Sequence, residues 1–451
     1  MPYIANTDAQ RAEMLAAIGV GSFEELLDGV PRATRADRFN LPDGLAEQDV
    51  MKRVRRLAGK NAVFAPGRMY AGAGIYNHYI PPVVAQLAAR SEFVTAYTPY
   101  QPEVSQGLLQ TIFEYQTYIC ELTGLDISNA STYDGAVGCA DAVNIARAAT
   151  KRGAAIISPN IHPHSIDVVR TYNIGWKMEI GKLPYSNSFE IDLKTLDTRL
   201  AKKDVACVVV QMPNFYGYFE TGLSKLGEIC KKHGTLLAVG WYPFCAPFVA
   251  RPGDIGADIA FGEGQPLGIP MGFGGPALGF LACRSDLVRF LPGRLIGKTE
   301  DANGKTAYVM TLQAREQHIR RDKATSSICT NQALMALTST IYLSSLGKQG
   351  FREVGELESA AAKYLEKELT KIRGVDNAFP GAPFFNEFTI DITETDSQAL
   401  FNRLVERDFL PGVPLANFGG DWNRWLIAAT EQHTKEDIDE FVRAFAEEVS
   451  K

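Results

Sequence analysis

Three polar side chains, His162, Asn214 and Glu263, fall where apolar strand-like runs give way to turns, and that is where an α/β protein places its chemistry. Around Glu263 the stretch Gly253 to Phe280, GDIGADIAFGEGQPLGIPMGFGGPALGF, reads as a short buried strand over Ala257 to Phe261, an acidic turn, and a glycine-rich passage into a second strand near Gly279 to Cys283. The turn Gly262-Glu263-Gly264-Gln265-Pro266 offers a carboxylate and an amide but no amine, because no lysine occurs between Lys232 and Lys298. His162 can stack on a planar ring or fill a structural place, and the residues alone leave both open. YTPYQPEVSQG, Tyr97 to Gly107, cannot form a regular helix or strand interior. Its concentration of Tyr, Gln and Glu favours one wall of a pocket over a bland connector. In SNASTYDGAVGCADAV the hydroxyls of Ser131 and Thr132 and the Asp134 carboxylate compete to cap a helix start, which is either a ready anion site or a plain N-cap.

Two other motifs carry less. His162 and His164 have no carboxylate or thiolate companions at ligand spacing, so no metal site is expected. GFGGPALG precedes a strand past mid-chain, whereas a dinucleotide loop opens a helix after the first strand.

The elements that position these groups follow from the changing hydrophobic period. The first ninety or so residues are helical: Thr7 with Gln10 and Ser22 with Glu25 have capping-box spacing, and Met14, Leu15 and Ile18, then Phe23, Leu26 and Leu27, would each share a packed face. Asp49 to Lys60 adds a basic helix with Val50, Val54 and Leu57 inward. A long amphipathic helix spans Leu108 to Thr123. Beyond Lys151, strands at Ala154 to Ser158, Lys177 to Ile180, Val205 to Gln211 and Thr235 to Val239 alternate with helices at Pro163 to Asn173, Leu193 to Ala201 and Leu223 to His233. Such alternation predicts crossover connections and a mainly parallel, three-layer α/β sheet with ligands at its carboxyl edge. GRLIGKTEDANGKT reads as a polar loop carrying the solvated Lys298 and Lys305, and Leu312 to Arg321 as a helix. A long apolar helix then runs to Gly347, and strands near Phe385 to Ile392 and Trp425 to Thr430 with the helix Lys435 to Val449 make a smaller α+β domain. The boundaries expected are 1–90, 91–320 and 321–451.

With 451 residues, 46% of them hydrophobic, and a net charge of −6, the chain is long enough for several packed units and has no basic surface for nucleic acid. No apolar run reaches membrane-spanning length, and the N-terminus has no basic head followed by an apolar stretch, so a cytoplasmic, membrane-free protein is expected. Seven cysteines without a C-x-x-C pair read as reduced and mostly buried.

The segments YTPYQPEVSQG, CELTGLDISNAS, HPHSIDVVRTY, GEGQPLGIPMGFGGP and LQAREQHIRRDKATSSICTNQ together resemble the glycine cleavage system P-protein family, in its split form the N-terminal-type subunit of glycine dehydrogenase (decarboxylating). The resemblance runs from the N-terminal helices to the C-terminal domain. It implies pyridoxal-phosphate fold type I, aspartate-aminotransferase-like, in which the turn at Gly262 to Pro266 is where a Schiff-base lysine sits and the strand ending in Gly240-Trp241 normally carries an Asp for the pyridinium nitrogen. Both are missing here. The family therefore implies half of an enzyme. A second, lysine-bearing subunit would hold pyridoxal phosphate covalently in a two-plus-two heterotetramer, and the pair would decarboxylate glycine and pass the aminomethyl group to the lipoyl arm of H-protein. On that reading Tyr97, Tyr100, Gln101, Glu103 and Gln106 line the partner's site or the lipoyl path, and Thr325 and Ser326 lie near the partner's phosphate. Ser131, Thr132, His162, Asn214 and Glu263 belong to a vestigial pocket of this chain. The competing readings are a self-sufficient pyridoxal-phosphate enzyme using a lysine such as Lys298, and a non-enzymatic scaffold for the carrier protein.

Overall fold

A computed structural model of the chain describes residues 5–35, 41–94, 97–185, 190–326, 328 and 330–451, in two units, Met1–Val63 and Phe64–Lys451. The first unit holds the helices Asp8–Ile18, Phe23–Leu26 and Glu47–Ala58. The Thr7–Gln10 capping box forms as expected. The inward faces do not: Met14, Ile18, Phe23, Leu26, Val50, Val54 and Leu57 are exposed, and no residue of the three helices is buried. Helical period decides which side chains share a face, but three short helices bring too little apolar surface to enclose it.

The second unit is built on a seven-stranded sheet of β1 (Ile127–Ser128), β2 (Ala154–Ile157), β3 (Glu179–Lys182), β4 (Val205–Met212), β5 (Leu236–Trp241), β6 (Ile259–Glu263) and β7 (Gly279–Cys283), in the order β1-β7-β6-β5-β4-β2-β3. β2 through β6 run parallel, while β7 is antiparallel to β6 and to β1. β4 is apolar at almost every position because helices cover both faces of the sheet. Val208 and Val210 enter one core cluster and Cys207 and Val209 the other, as strand alternation requires. This is the mainly parallel α/β architecture expected. Of the predicted helices, Pro163–Asn173 and Leu223–His233 form over the predicted residues, and Leu193–Leu200 ends one residue short.

One stretch departs from expectation. The supposed polar loop after Arg294 is a hairpin, β8 (Leu295–Glu300) and β9 (Thr306–Thr311), turning at Asn303-Gly304 with Gly304 at φ +76°. A two-stranded ribbon with one face open to solvent needs few apolar residues: only Leu295 and Ile296 are buried, while Ala307 to Thr311 are half-buried. The turn signal Asn-Gly was the better guide than composition. The helix expected from Leu312 to Arg321 is also broken into a 3₁₀ turn, Gln313–Arg315, and one helical turn, Gln317–Arg320, between positive-φ residues Leu312 and Arg321.

The helix Ala333–Leu369 is interrupted at Gly347 and leads to a four-stranded antiparallel sheet, β10 (Val375–Asn377), β11 (Glu387–Ile392), β12 (Val413–Pro414) and β13 (Arg424–Ala428), in the order β10-β11-β13-β12. Its core, with Phe388, Trp425, Phe441 and Phe445 fully buried, is the smaller α+β portion foreseen. Among the described residues no helix is long and apolar enough to cross a membrane.

Candidate functional site

A cavity of about 560 Å³ opens at the carboxyl ends of the parallel strands. Its walls come from the segment 73–76, the start of the helix Gly135–Thr150, His162, the ends of β4, β5 and β6, and Glu387 at the start of β11. Three of the predicted pocket residues, His162, Asn214 and Glu263, line it. Ser131 and Thr132 do not. Both are fully buried: the Ser131 hydroxyl accepts the Gln332 N–H at 3.0 Å, and Thr132 bridges to Gly279 on β7 while its hydroxyl donates to the Asp134 carbonyl. The cap contest is resolved for Asp134, whose carboxylate accepts the Val137 N–H at 2.7 Å.

Glu263 ends β6 and reaches across to that helix. One carboxylate oxygen accepts the Gly135 N–H at 3.0 Å, and the other accepts those of Gln265 at 3.0 Å and Leu278 at 3.2 Å. Burial pushes its pKa up to about 7, partly offset by the three donors.

His162 is held at both ring nitrogens. Nδ1 accepts the His164 N–H at 3.1 Å, which leaves Nε2 to donate to the Ala73 carbonyl at 3.1 Å. Phe215 and Phe418 meet the ring edge-on. Burial lowers its pKa to about 4, so the ring is neutral at physiological pH. Asn214 is committed to a turn, accepting from the Tyr216 and Tyr218 N–H groups and donating to Glu220.

Two further residues of the site were not among the candidates named from the sequence. Gln265 is buried in the lysine-free turn Gly262 to Pro266: its oxygen accepts the Tyr76 N–H at 3.0 Å, and its nitrogen donates to the Tyr76 carbonyl at 3.0 Å and the Ile269 carbonyl at 2.7 Å. Glu387, also buried, accepts the Ala73 N–H at 2.6 Å and the Tyr76 hydroxyl at 2.9 Å. A carboxylate inside the apolar run PFFNEFTI was the available signal for it. Burial raises the Glu387 pKa to about 7 as well.

Among the described residues no lysine or arginine lines the cavity; the charged ones that do are Asp134, Glu263 and Glu387. At Gly240, where an Asp would face a pyridinium nitrogen, a Cβ would come within 3.1 Å of both the Gln211 side chain and the Phe261 ring. Lys298 is exposed on β8 and lies outside the cavity. The cavity therefore does not fit pyridoxal phosphate: it has neither the amine nor the carboxylate that would anchor the ring.

The other candidates lie elsewhere on the second unit. Tyr97, Tyr100, Gln101 and Glu103 are exposed, with the Arg294 guanidinium 5.5 Å from the Tyr100 ring centroid. The Gln106 amide is tied to the Tyr308 backbone by two 2.9 Å bonds and to the Pro102 carbonyl. Thr325 and Ser326 line a small recess beside Gly293 and Arg315.

The buried carboxyls predict a pH dependence. Glu263 and Glu387 rise from an ordinary 4.5 to about 7 on folding, so their contribution to stability is full below about pH 4.5 and is lost as pH rises through 7. His162 moves the other way, from 6.5 to about 4, so its contribution is present above pH 6.5 and lost as pH falls toward 4. Between about pH 4.5 and 6.5 two carboxyls lose stabilisation while one imidazole gains it, so the summed contribution of these three groups is expected to peak near about pH 4 to 4.5 and to decline toward pH 8. Glu387→Gln, which keeps the shape but cannot ionise, should flatten the alkaline limb; an unchanged limb would contradict the assignment.

Compared with known proteins, residues 1–445 match the family model described as "Glycine cleavage system P-protein". The chain belongs to the glycine cleavage system P-protein family. Among its P-protein relatives, "Probable glycine dehydrogenase (decarboxylating) subunit 1" of Moorella thermoacetica is 47% identical over 98% of this chain and 99% of its own length. The protein of the same name from Desulfitobacterium hafniense is 45% identical over 99% and 100%. A crystal structure of glycine decarboxylase (P-protein) of the glycine cleavage system, in inhibitor-bound form, superposes with a TM-score of 0.88 at 42% identity, covering 99% of this chain and 100% of that one. Glutamate decarboxylase from Lactobacillus brevis, at 13% identity and a TM-score of 0.68 over 95% and 97%, shares the fold alone. The P-protein chain described here thus has pyridoxal-phosphate fold type I and is of the subunit 1 type.

Proposed function

We propose that this chain is the lysine-free subunit of a glycine dehydrogenase (decarboxylating) and works only with a second, lysine-bearing chain, as a two-plus-two heterotetramer. Together they remove carbon dioxide from glycine and pass the aminomethyl group to the lipoyl arm of H-protein, whose disulfide is reduced as it accepts that group. Pyridoxal phosphate, held by the partner, supplies the electron sink for the decarboxylation. The observation that carries this reading is the fold-type-I cavity without an amine, whose turn residues Glu263 and Gln265 are spent on backbone hydrogen bonds. The exposed Tyr97, Tyr100, Gln101 and Glu103 complete the partner's site or the lipoyl path, Gln106 holds their loop against β9, and Thr325 and Ser326 lie toward the partner's phosphate. The six described cysteines are unpaired, which supports a reducing compartment, the cytoplasm.

Borohydride reduction with peptide mass spectrometry, on this chain alone and on the copurified pair supplied with pyridoxal phosphate, is expected to label a lysine only in the partner. Glycine-dependent carbon dioxide release should need both chains. Tyr97→Ala and Glu103→Ala should each slow the pair by about tenfold or more, the scale of a lost positioning contact. A label on this chain with unaided turnover would overturn the half-enzyme reading; full turnover in both alanine variants would remove the loop from the partner's site.

A further inference from the structure

The helix Gly135–Thr150 directs its N-terminus at the cavity, and free N–H groups at such a place bind anions through hydrogen bonds and the helix dipole. Here two of them, and the first intrahelical N–H, are already spoken for. The Gly135 N–H goes to the Glu263 carboxylate, the Val137 N–H to the Asp134 carboxylate and the Gly138 N–H to the Asp134 carbonyl. Glu263 arrives from a strand 128 residues later in the chain and also takes the N–H groups of Gln265 and Leu278. The packing leaves no slack between strand and helix: a Cβ at Gly135 would stand 2.8 Å from the Glu263 nitrogen and 2.9 Å from the Gly262 carbonyl carbon.

A phosphate ester entering this cavity would meet the Glu263 and Asp134 carboxyl groups already on the Gly135 and Val137 N–H donors of this helix start. Among the described residues it would find no lysine or arginine on the walls to compensate. We infer that Glu263 is a built-in substitute for a cofactor phosphate: its carboxylate caps the helix and ties down the β6–β7 connection, so the cavity rejects phosphorylated cofactors independently of the missing lysine. The inference deepens, and rests on, the reading that the cofactor belongs to the partner. It makes the loss of cofactor binding a two-part change in this chain, in the amine and in the anion site. A lone restored lysine does not reverse it.

The test uses the full chain with inorganic phosphate, 4′-deoxypyridoxine 5′-phosphate, which has no aldehyde and so reports phosphate recognition without Schiff-base formation, and unphosphorylated 4′-deoxypyridoxine. Binding is followed by calorimetric melting and by titration. The wild type is expected to show no saturable binding and no melting shift at millimolar concentrations of any of the three. Glu263→Ala is expected to melt lower, because three N–H groups lose their acceptor. It should then regain several degrees with the phosphate ester or inorganic phosphate but not with the unphosphorylated compound. Saturable binding of the phosphate ester to the wild type, competed by inorganic phosphate, would overturn the inference, as would a folded Glu263→Ala chain with no gain for phosphate. If Glu263→Ala does not fold, the wild-type titration decides alone. Wild-type binding together with borohydride labelling confined to the partner would sink this inference while leaving the half-enzyme reading in place.

Discussion

Gln265→Lys is expected to lose about 3–5 kcal/mol of stability and to gain no covalently bound pyridoxal phosphate. The substitution places an amine in the turn where fold-type-I enzymes carry one. Here, however, the amide it replaces satisfies three backbone groups at once: the Tyr76 N–H and the carbonyls of Tyr76 and Ile269. A lysine can donate but cannot accept, so the Tyr76 N–H is left without an acceptor, at about 1–3 kcal/mol. The buried ammonium adds its own desolvation cost in a region where Glu263 and Glu387 are the neighbouring carboxyls of the cavity. Urea unfolding measures the first effect. Visible absorbance after incubation with pyridoxal phosphate, followed by borohydride labelling, measures the second. A stable variant with a bound, reducible cofactor at position 265 would show that the missing amine was the whole difference between this cavity and a working one.

Gly217→Ala should cost at least about 3 kcal/mol. Gly217 lines the cavity with φ +90°, in the left-handed region where an L side chain costs about 1–2 kcal/mol. Its Cβ would be driven into the Glu387 carbonyl, 2.6 Å from the carbon, and would reach the Phe388 nitrogen at 3.0 Å. These are backbone atoms of a strand paired along its length with β13, so relief by a side-chain rotation is not available. The strand has to shift, which draws the Glu387 carboxylate away from the Ala73 N–H and the Tyr76 hydroxyl. The expected readout is a lower urea midpoint with unchanged slope. A midpoint within about 0.5 kcal/mol of wild type would mean that the β11 backbone yields more easily than its pairing implies.

The missing lysine was legible before any coordinates, because an absence is local: Gly262 to Pro266 holds no lysine, and no later geometry supplies one. Whether the pocket still binds a ligand was not legible. The contacts that replaced the lysine were not legible either. Gln265 meets Tyr76 across 189 residues, Tyr76 meets Glu387 across 311, and Glu263 meets Gly135 across 128. Each is an ordinary polar residue in its own neighbourhood. Ser131 and Thr132 show the reverse: hydroxyls at a helix start looked like ligand groups, yet the bridge of Thr132 to Gly279 on β7 and the bond of the Gln332 N–H to Ser131 place both in the interior. The first unit shows a third kind of gap, since amphipathic period marked faces at Met14, Phe23 and Val54 that remain exposed.

By itself, the chain's sequence determined the alternation of strands and helices, the carboxyl-edge location of His162, Asn214 and Glu263, and the absence of a Schiff-base lysine. These follow from local periodicity, turn chemistry and residue type, all of which act within a few residues. Only the tertiary structure decided that the Glu263 carboxylate would cap a distant helix, that Gln265 and Glu387 would hold the 73–76 segment as a wall, and that Tyr97, Tyr100, Gln101 and Glu103 would stand exposed outside the cavity. Those outcomes depend on which buried polar groups meet once the sheet is assembled. A buried donor takes whichever acceptor packing brings within reach, however far away it lies in the chain.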